Sequence, residues 1–93
     1  MQRSREMAVS HADFLRLLPH AMPGYELSSD EDRIIATAGN KKVEIRLGPE
    51  SERRIAMLRV PVTEVTLVFK GFTDEEARAF LDKFDMTYRR GGG

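Results

Sequence analysis

Few residues in this chain are of a type that could carry out chemistry. The two histidines, His11 and His20, lie nine positions apart, and that spacing matches no zinc-binding pattern. Ser10 precedes a predicted helix and is better explained as its N-cap than as a nucleophile. The sequence has no cysteine, which excludes thiol catalysis and cysteine-ligated zinc or iron–sulfur sites. We therefore expect a protein that is not an enzyme, with no catalytic residue, no metal site and no cofactor.

Two acidic runs also fail to define a cation site. Asp30-Glu31-Asp32 places three acids in succession, whereas the ligands of an EF-hand loop alternate, so we interpret this run as a solvated turn. Asp74-Glu75-Glu76 follows Thr73, and the Thr-x-x-Glu pattern is a capping box at the positive N-terminus of a helix. Both runs are explained by local structure rather than by a ligand.

The C-terminal residues Gly91–Gly93 resemble the tail of ubiquitin-like carriers. In those carriers the Gly-Gly end is activated as an acyl adenylate, and the resemblance implies the same use here. The carriers place this tail directly after a strand, while here it follows a predicted helix and a short linker. We predict a flexible Arg/Gly tail over residues 89–93 and keep a tail-borne carrier role as a distant alternative.

The strand pattern predicts a first hairpin with a defined register. Gly39-Asn40 separates Arg33–Ala38 from Lys41–Leu47, and glycine in the first loop position suits a type II′ turn, which needs a positive φ there. Alternation then puts the apolar residues of both strands on one face and Glu44 and Arg46 on the other. A slip of one residue would bury those two charges, so the register is well determined.

A second hairpin is predicted in the same way. Residues 54–60 and 65–70 form its strands, and Pro61–Glu64 forms its loop because proline cannot donate to a strand ladder. Leu58 then lies opposite Leu67 on the core face of the predicted sheet.

A helix is predicted on either side of these strands. The first begins at Ser10, and Pro19 ends or kinks it. The second spans Asp74–Phe84, with an apolar stripe at i, i+3, i+4 and i+7 that starts at Ala77. Residues 1–9 are predicted to be a flexible leader.

These elements predict a single α+β domain over residues 10–88. It is a two-layer sandwich in which a four-stranded antiparallel meander, order 1-2-3-4, carries the N- and C-terminal helices on one face (α-β-β-β-β-α). Tyr25–Leu27 adds a possible short fifth strand at the edge. A length of 93 residues suits one modest core. The predicted core consists of Phe14, Leu17, Leu18, Ile34, Ala36, Val43, Ile45, Ala56, Leu58, Val60, Val65, Leu67, Phe69, Ala77, Phe80, Leu81 and Phe84.

The outward face of the predicted sheet is the candidate binding surface. The formal net charge is zero, yet this face is predicted to carry one acid, Glu44, and more cations. The cations are Arg33, Lys42, Arg46, Arg59 and Lys70. It also carries the apolar residues Ile35, Ile55, Met57 and Val68. An apolar patch rimmed by cations is typical of a protein contact surface. The predicted partner-binding residues are Arg46, Ile55, Met57, Arg59, Val68 and Lys70.

Other interpretations of this face stay open. Antiparallel sheets commonly have one solvated face, and the first helix could instead cross over and cover the patch. The leading prediction is a small non-enzymatic protein-interaction module that binds through the outward face. Nucleic-acid or anion binding on the same face is the alternative, and the lack of outward aromatic residues for base stacking counts against it.

Location and assembly are predicted from what the sequence lacks. No apolar run approaches the ~20 residues of a membrane helix, and Arg3 and Arg5 precede no apolar signal-peptide segment. We expect a cytoplasmic protein without membrane contact, as a monomer or a weak homodimer.

Overall fold

The computed structural model describes residues 1–30 and 33–91. Within these ranges the chain forms six strands and two helices. In chain order they are β1 (Gln2–Met7), α1 (His11–Ala21), β2 (Glu26–Asp30), β3 (Arg33–Ala38), β4 (Lys41–Leu47), β5 (Ser51–Ile55), β6 (Leu58–Lys70) and α2 (Asp74–Gly91). The predicted α+β class with an antiparallel sheet is confirmed, with more strands than the four that were predicted.

The strand order is β1-β6-β4-β3-β2, with β5 pairing to β6. The predicted meander order is wrong, because residues 65–70 pair directly with β4, placing Val43 opposite Phe69 and Leu47 opposite Val65. The short edge strand expected around Tyr25–Leu27 is β2.

The first predicted hairpin is confirmed in its register. Ile34 lies opposite Ile45, and Ala36 lies opposite Val43. Gly39 has a φ of 61°, the positive value that its place in the two-residue loop requires. Explicit turn chemistry and alternation therefore determine this part of the sheet.

The second predicted hairpin is wrong. β6 continues through the expected loop Pro61–Glu64, and the chain reverses at Ala56-Met57, which brings Ile55 opposite Leu58. In a two-residue hairpin the closing pair is hydrogen-bonded and the pairs alternate from there. Pro61 is three positions from Leu58, so its nitrogen points away from β5 and removes no bond of that ladder.

The core lies between one face of the sheet and the two helices. Phe14 and Leu18 of α1 and Phe84 of α2 belong to one buried cluster with Ile45 and Leu67 of the sheet. All predicted core residues are buried except Ala56, Leu58 and Val60. Those three belong to the β5–β6 hairpin, in which residues 51–59 are all exposed.

The chain ends differ from the predicted flexible leader and tail. Residues 2–7 of the expected leader form β1, which pairs with residues 63–68 of β6. At the other end, α2 continues beyond the predicted boundary at Phe84 to Gly91, because Tyr88 one turn later is also buried. The remaining tail residues, 92–93, lie outside the described residues.

Pro19 does not end α1, which continues to Ala21. The last turn of the helix keeps its helical hydrogen bond, in which the Met22 N–H donates to the Leu18 carbonyl at 3.1 Å. Ser10 is the predicted N-cap, and its Oγ accepts from the Asp13 N–H. None of the helices in residues 1–30 and 33–91 has the length and apolar character needed to cross a bilayer.

Candidate interaction surface on the β5–β6 hairpin

β4 and β5 form one long partner for β6, interrupted by a bulge. Leu47 lies opposite Val65 and Ser51 lies opposite Val62, so residues 48–50 face only residues 63–64. The β4–β5 side therefore carries one extra residue, which is the definition of a β-bulge and bends the strand pair. Beyond the bulge, residues 51–62 form a two-stranded projection that we call the arm.

The start of α1 holds the bulge in place. The His11 N–H donates to Glu50 Oε1 at 2.7 Å, and His11 Nε2 lies 2.7 Å from the Gly48 carbonyl oxygen. The Gly48 N–H in turn donates to the Glu64 carbonyl at 2.8 Å. His11 thus contributes hydrogen bonds at the base of the arm.

The arm has one apolar face and one polar face. Cross-strand partners share a face, which puts Ile55 with Leu58 and Arg53 with Val60 on one side. The alternate pairs, on the other side, are Arg54 with Arg59 and Glu52 with Pro61. By alternation along β6, Leu58 and Val60 share a face with Val68, which is the sheet face opposite α1 and α2. Among the described residues, no helix therefore covers these apolar pairs.

The end of the arm is the most exposed apolar surface in the described part of the chain. Ile55 is 54% exposed, Met57 96% and Leu58 67%. Isolated exposed apolar side chains are ordinary, but these three are neighbours around one turn. We call them the arm tip, and a contiguous apolar patch of this kind is characteristic of an interaction site.

Arginines surround the arm tip. Arg53 forms an ion pair with Glu6 of β1, and Arg59 Nε lies 3.8 Å from Glu52 Oε1. Among the described residues, no carboxylate lies within ion-pair distance of Arg54. Exposed pairs of this kind contribute little to stability, so the arginines remain available to an acidic partner.

The structure splits the predicted binding site into two groups. Ile55, Met57 and Arg59 lie on the arm, while Val68 and Lys70 lie at the far end of β6. Val68 is ten residues beyond Leu58, or about 34 Å at roughly 3.4 Å per residue. The prediction that Met57 and Val68 belong to one apolar patch is therefore wrong.

Arg46, the sixth predicted site residue, is engaged on the main sheet. Its Nε and Nη2 lie 3.1 and 3.0 Å from Glu44 Oε1, and Arg33 Nη1 lies 3.1 Å from the same oxygen. These guanidinium groups, Arg46 first, hold the pKa of Glu44 below its usual range. Much of the positive charge expected on the outward sheet face is thus neutralised locally.

The first helix does not cover the outward face. Its buried residues Phe14, Leu17 and Leu18 join the core cluster together with Ile34 and Val43, which point inward. On the outward face Val68 lies opposite Glu44 and is half-buried. This face is mixed and charge-paired, so the arm tip is the stronger candidate surface.

The described residues contain no group of three His, Asp or Glu side chains arranged to hold a metal ion. His20 is exposed near the end of α1, far along the helix from His11 at its start. The acidic pair Glu75 and Glu76 lies in the first turn of α2, where a capping role was predicted.

Sequence reasoning missed the arm as a separate structure. Its one local signal is the apolar run Ile55-Ala56-Met57-Leu58 between Arg53-Arg54 and Arg59. Neither Ala56 nor Met57 is a residue that normally marks a tight turn, so the run was interpreted as part of a core strand.

The comparisons with known proteins identify no family for this chain. No protein-family model matches the sequence, and a search of curated proteins finds no match.

Proposed function

We propose that this protein is a non-enzymatic protein-interaction module that binds its partner through the arm tip. The observation that carries the proposal is the exposure of Ile55, Met57 and Leu58 at the end of a projecting two-stranded arm. Burying such side chains in a partner's cleft removes apolar surface from water, which is the main driving force for association. Met57 adds a flexible side chain that adapts to the shape of the cleft.

The charges around the tip indicate the chemistry of the partner. Arg53, Arg54 and Arg59 surround the apolar residues, and Glu52 is the one acid within the arm. An apolar cleft with an acidic rim complements this arrangement, with the rim charges guiding approach and orientation more than adding affinity. The partner we propose is therefore a protein with such a cleft.

Nucleic-acid or anion binding remains the alternative, on the outward sheet face. Lys42 lies opposite Lys70 there, which supports a local phosphate contact. Against it, Arg33 and Arg46 share Glu44, and a formal net charge of zero gives little long-range attraction to a polyanion. The carrier alternative depends on tail residues that extend beyond the described part of the chain.

The test compares a triple serine variant of the arm tip with a double serine variant at exposed apolar residues elsewhere. Replacing Ile55, Met57 and Leu58 by serine is expected to abolish capture of the partner from a cell lysate while leaving the melting temperature nearly unchanged. The matched control replaces Leu15 of α1 and Met86 of α2 by serine, since each is 47% exposed away from the arm. Equal capture by both variants would contradict the proposal.

The nucleic-acid alternative is tested in the same experiment. Capture that disappears on nuclease treatment, falls steeply with salt and is lost on Lys42→Gln plus Lys70→Gln would replace the arm proposal by the alternative. Capture that resists nuclease and depends on the arm tip would support a protein partner.

A further inference from the structure

The outer edge of β5 is an unpaired strand edge. Ile55 and Leu58 close the two-residue turn, and hydrogen-bonded pairs alternate with non-hydrogen-bonded pairs from that point. Glu52 and Arg54 fall in the non-bonded pairs, so their N–H and C=O groups point away from β6. Across residues 1–30 and 33–91, β6 is the one strand that pairs with β5.

The opposite edge of the arm is protected. By the same alternation, the backbone groups of Arg59 and Pro61 are the ones that point away from β5 at this edge. Pro61 has no N–H to offer, and β1 occupies the edge of β6 from Thr63 onward. Proline on an edge strand is a common device against pairing with another chain. The arm therefore has one open edge, on β5.

We propose that this open edge pairs antiparallel with β5 of a second copy, with Arg53 on the two-fold axis. Symmetric pairing must centre on a residue, because directly opposite side chains share a face of the sheet. Centring on Arg53 places Glu52 opposite Arg54 of the second copy, and Arg54 opposite its Glu52. Two symmetric pairs of opposite charge result from a single register.

The neighbouring registers are disfavoured by charge. Centring on Glu52 sets two glutamates directly opposite each other, and centring on Arg54 does the same with two arginines. In the proposed register Arg53 lies opposite Arg53 of the second copy. Each of these two guanidinium groups already forms an ion pair with Glu6 of the same chain. The zero formal net charge of the chain leaves little overall repulsion between copies.

The dimer has a consequence for the arm tip. A two-fold axis perpendicular to the joined strands keeps equivalent faces on the same side. The apolar pairs Ile55–Leu58 of both copies therefore face in one direction, on a four-stranded ribbon. Arg54 takes part in both proposals, but otherwise they use different groups, because pairing uses the β5 backbone with Glu52 and Arg54, whereas partner binding uses the apolar tip.

Charge reversal tests the register directly. Glu52→Arg brings like positive charges together at both pairs, and Arg54→Glu brings like negative charges together. We expect each variant alone to dimerise roughly tenfold or more weakly than the unmodified chain, because both symmetric cross-strand pairs change from attraction to repulsion. Mixing the two variants restores opposite charges at both pairs, so a heterodimer is expected. Sedimentation velocity measures all four samples.

Two outcomes of that experiment would overturn the proposal. An unmodified chain that stays monomeric up to about millimolar concentration, where association of ~4 kcal/mol would be visible, excludes the dimer. Two variants that each dimerise like the unmodified chain, or that give no heterodimer when mixed, exclude the register.

A single thiol gives a second readout, because a disulfide traps the dimer even when its affinity is low. The chain has no cysteine, and Arg53→Cys places one on the proposed axis. Opposite residues of a non-bonded antiparallel pair have Cα atoms about 4.5 Å apart, within the range for a disulfide. Rapid disulfide formation is expected for Arg53→Cys and not for Arg59→Cys on the far strand. Equal rates for the two would contradict the pairing.

The tip variant separates this inference from the proposed function. Met57→Ser plus Leu58→Ser is expected to lose partner capture and to retain the dimer. Loss of the dimer in this variant, with charge-reversed chains unaffected, would place the contact at the tip and reject pairing through the β5 edge.

Discussion

Ile55 lies directly opposite Leu58 in the closing pair of the arm, and both side chains are more than half exposed. The pair has the composition of a sheet core and the environment of a surface. It is exposed because alternation along β6 places Leu58 on the same face as Thr66 and Val68, opposite the two helices, at the end of a two-stranded projection. This relationship separates the arm from the core and leads to the first prediction.

Replacing Leu58 by alanine should barely affect stability. Its side chain is 67% exposed, and surface substitutions usually change the free energy of unfolding by less than about 0.5 kcal/mol. The matched change Leu67→Ala, in the same strand but fully buried, should cost about 2–5 kcal/mol. Urea denaturation of both variants measures the difference. A cost above about 2 kcal/mol for Leu58→Ala would instead support the hairpin that pairs residues 54–60 with residues 65–70.

Replacing Ala56 by glycine should stabilise the protein. Ala56 has a φ of 54°, a left-handed value that costs an L-residue roughly 1–2 kcal/mol and glycine almost nothing. The expected gain in the free energy of unfolding is about 1 kcal/mol after the entropy of the unfolded glycine is allowed for. Ala79→Gly, at an exposed position inside α2, is the control and should destabilise by about 1 kcal/mol. A loss of stability at both positions would contradict the turn geometry.

The parts of the fold that were predicted correctly are those with explicit local signals. Gly39-Asn40 marks a turn by its chemistry, and the alternation around it determines the register of β3 and β4. The capping box at Thr73 likewise marks the start of α2, with Thr73 Oγ1 accepting from the Glu76 N–H at 3.1 Å. Such signals need no knowledge of distant residues.

The parts that were missed depend on distant contacts. β1 (Gln2–Met7) is polar except for Met7, and it forms a strand because the edge of β6 supplies its backbone partners. An ion pair between Arg5 and Asp85 of α2 also ties it to the domain. Tyr88 extends α2 beyond Phe84 because its hydroxyl reaches α1. None of these causes can be recognised in a local window of sequence.

The candidate surface differs from the predicted set of residues for a related reason. Ile55, Met57 and Arg59 were identified as surface residues by alternation, and they are exposed. Their assignment to the same patch as Val68 followed from the loop placed at Pro61. Proline is compatible with a strand whose edge is free, and only the full pairing pattern shows which edge that is.

Replacing Thr63 by valine should destabilise the docking of the N-terminal segment. Thr63 is fully buried, and its Oγ1 donates to the Val9 carbonyl at 2.8 Å. Valine keeps the shape but leaves that buried carbonyl without this donor, at a cost of about 1–3 kcal/mol. Thr37→Val, at a half-buried position on β3, which pairs with β2 and β4 and not with β1, is the control and should change stability by less than about 0.5 kcal/mol. Hydrogen exchange of the β1 amides should accelerate in Thr63→Val alone. Equal exchange in both variants would contradict this role of Thr63.

Replacing Tyr88 by phenylalanine should weaken the contact between the helices. The Tyr88 ring stacks on Phe14 with centroids 5.0 Å apart, and its hydroxyl donates to the Phe14 carbonyl at 2.7 Å. Phenylalanine retains the stacking and loses one hydrogen bond, so we expect a cost of about 1 kcal/mol. Tyr88→Ala also removes the buried ring and should cost about 3–5 kcal/mol. Similar costs for the two variants in thermal denaturation would show that the ring contributes little.

Glu76 should make stability depend on pH at the acid end. Its Oε2 lies 2.8 Å from Lys41 Nζ, and its Oε1 accepts from the Thr73 N–H at 2.9 Å. Lys41 first, and then the Thr73 backbone, lower the pKa of Glu76 from 4.5 to about 2. Because the folded state favours the charged carboxylate, this contribution is fully present above pH 4.5 and is lost as the pH falls towards 2.

The measurement is the free energy of unfolding of the unmodified chain and of Glu76→Gln across that pH range. Their difference should be largest above pH 4.5 and should shrink steadily towards pH 2, since the neutral amide mimics the protonated acid. Repeating the comparison in a Lys41→Met background tests the assigned cause, because the pH-dependent difference should then become smaller. A difference that is constant with pH, or that is unchanged without Lys41, would show that the ion pair does not lower the pKa of Glu76.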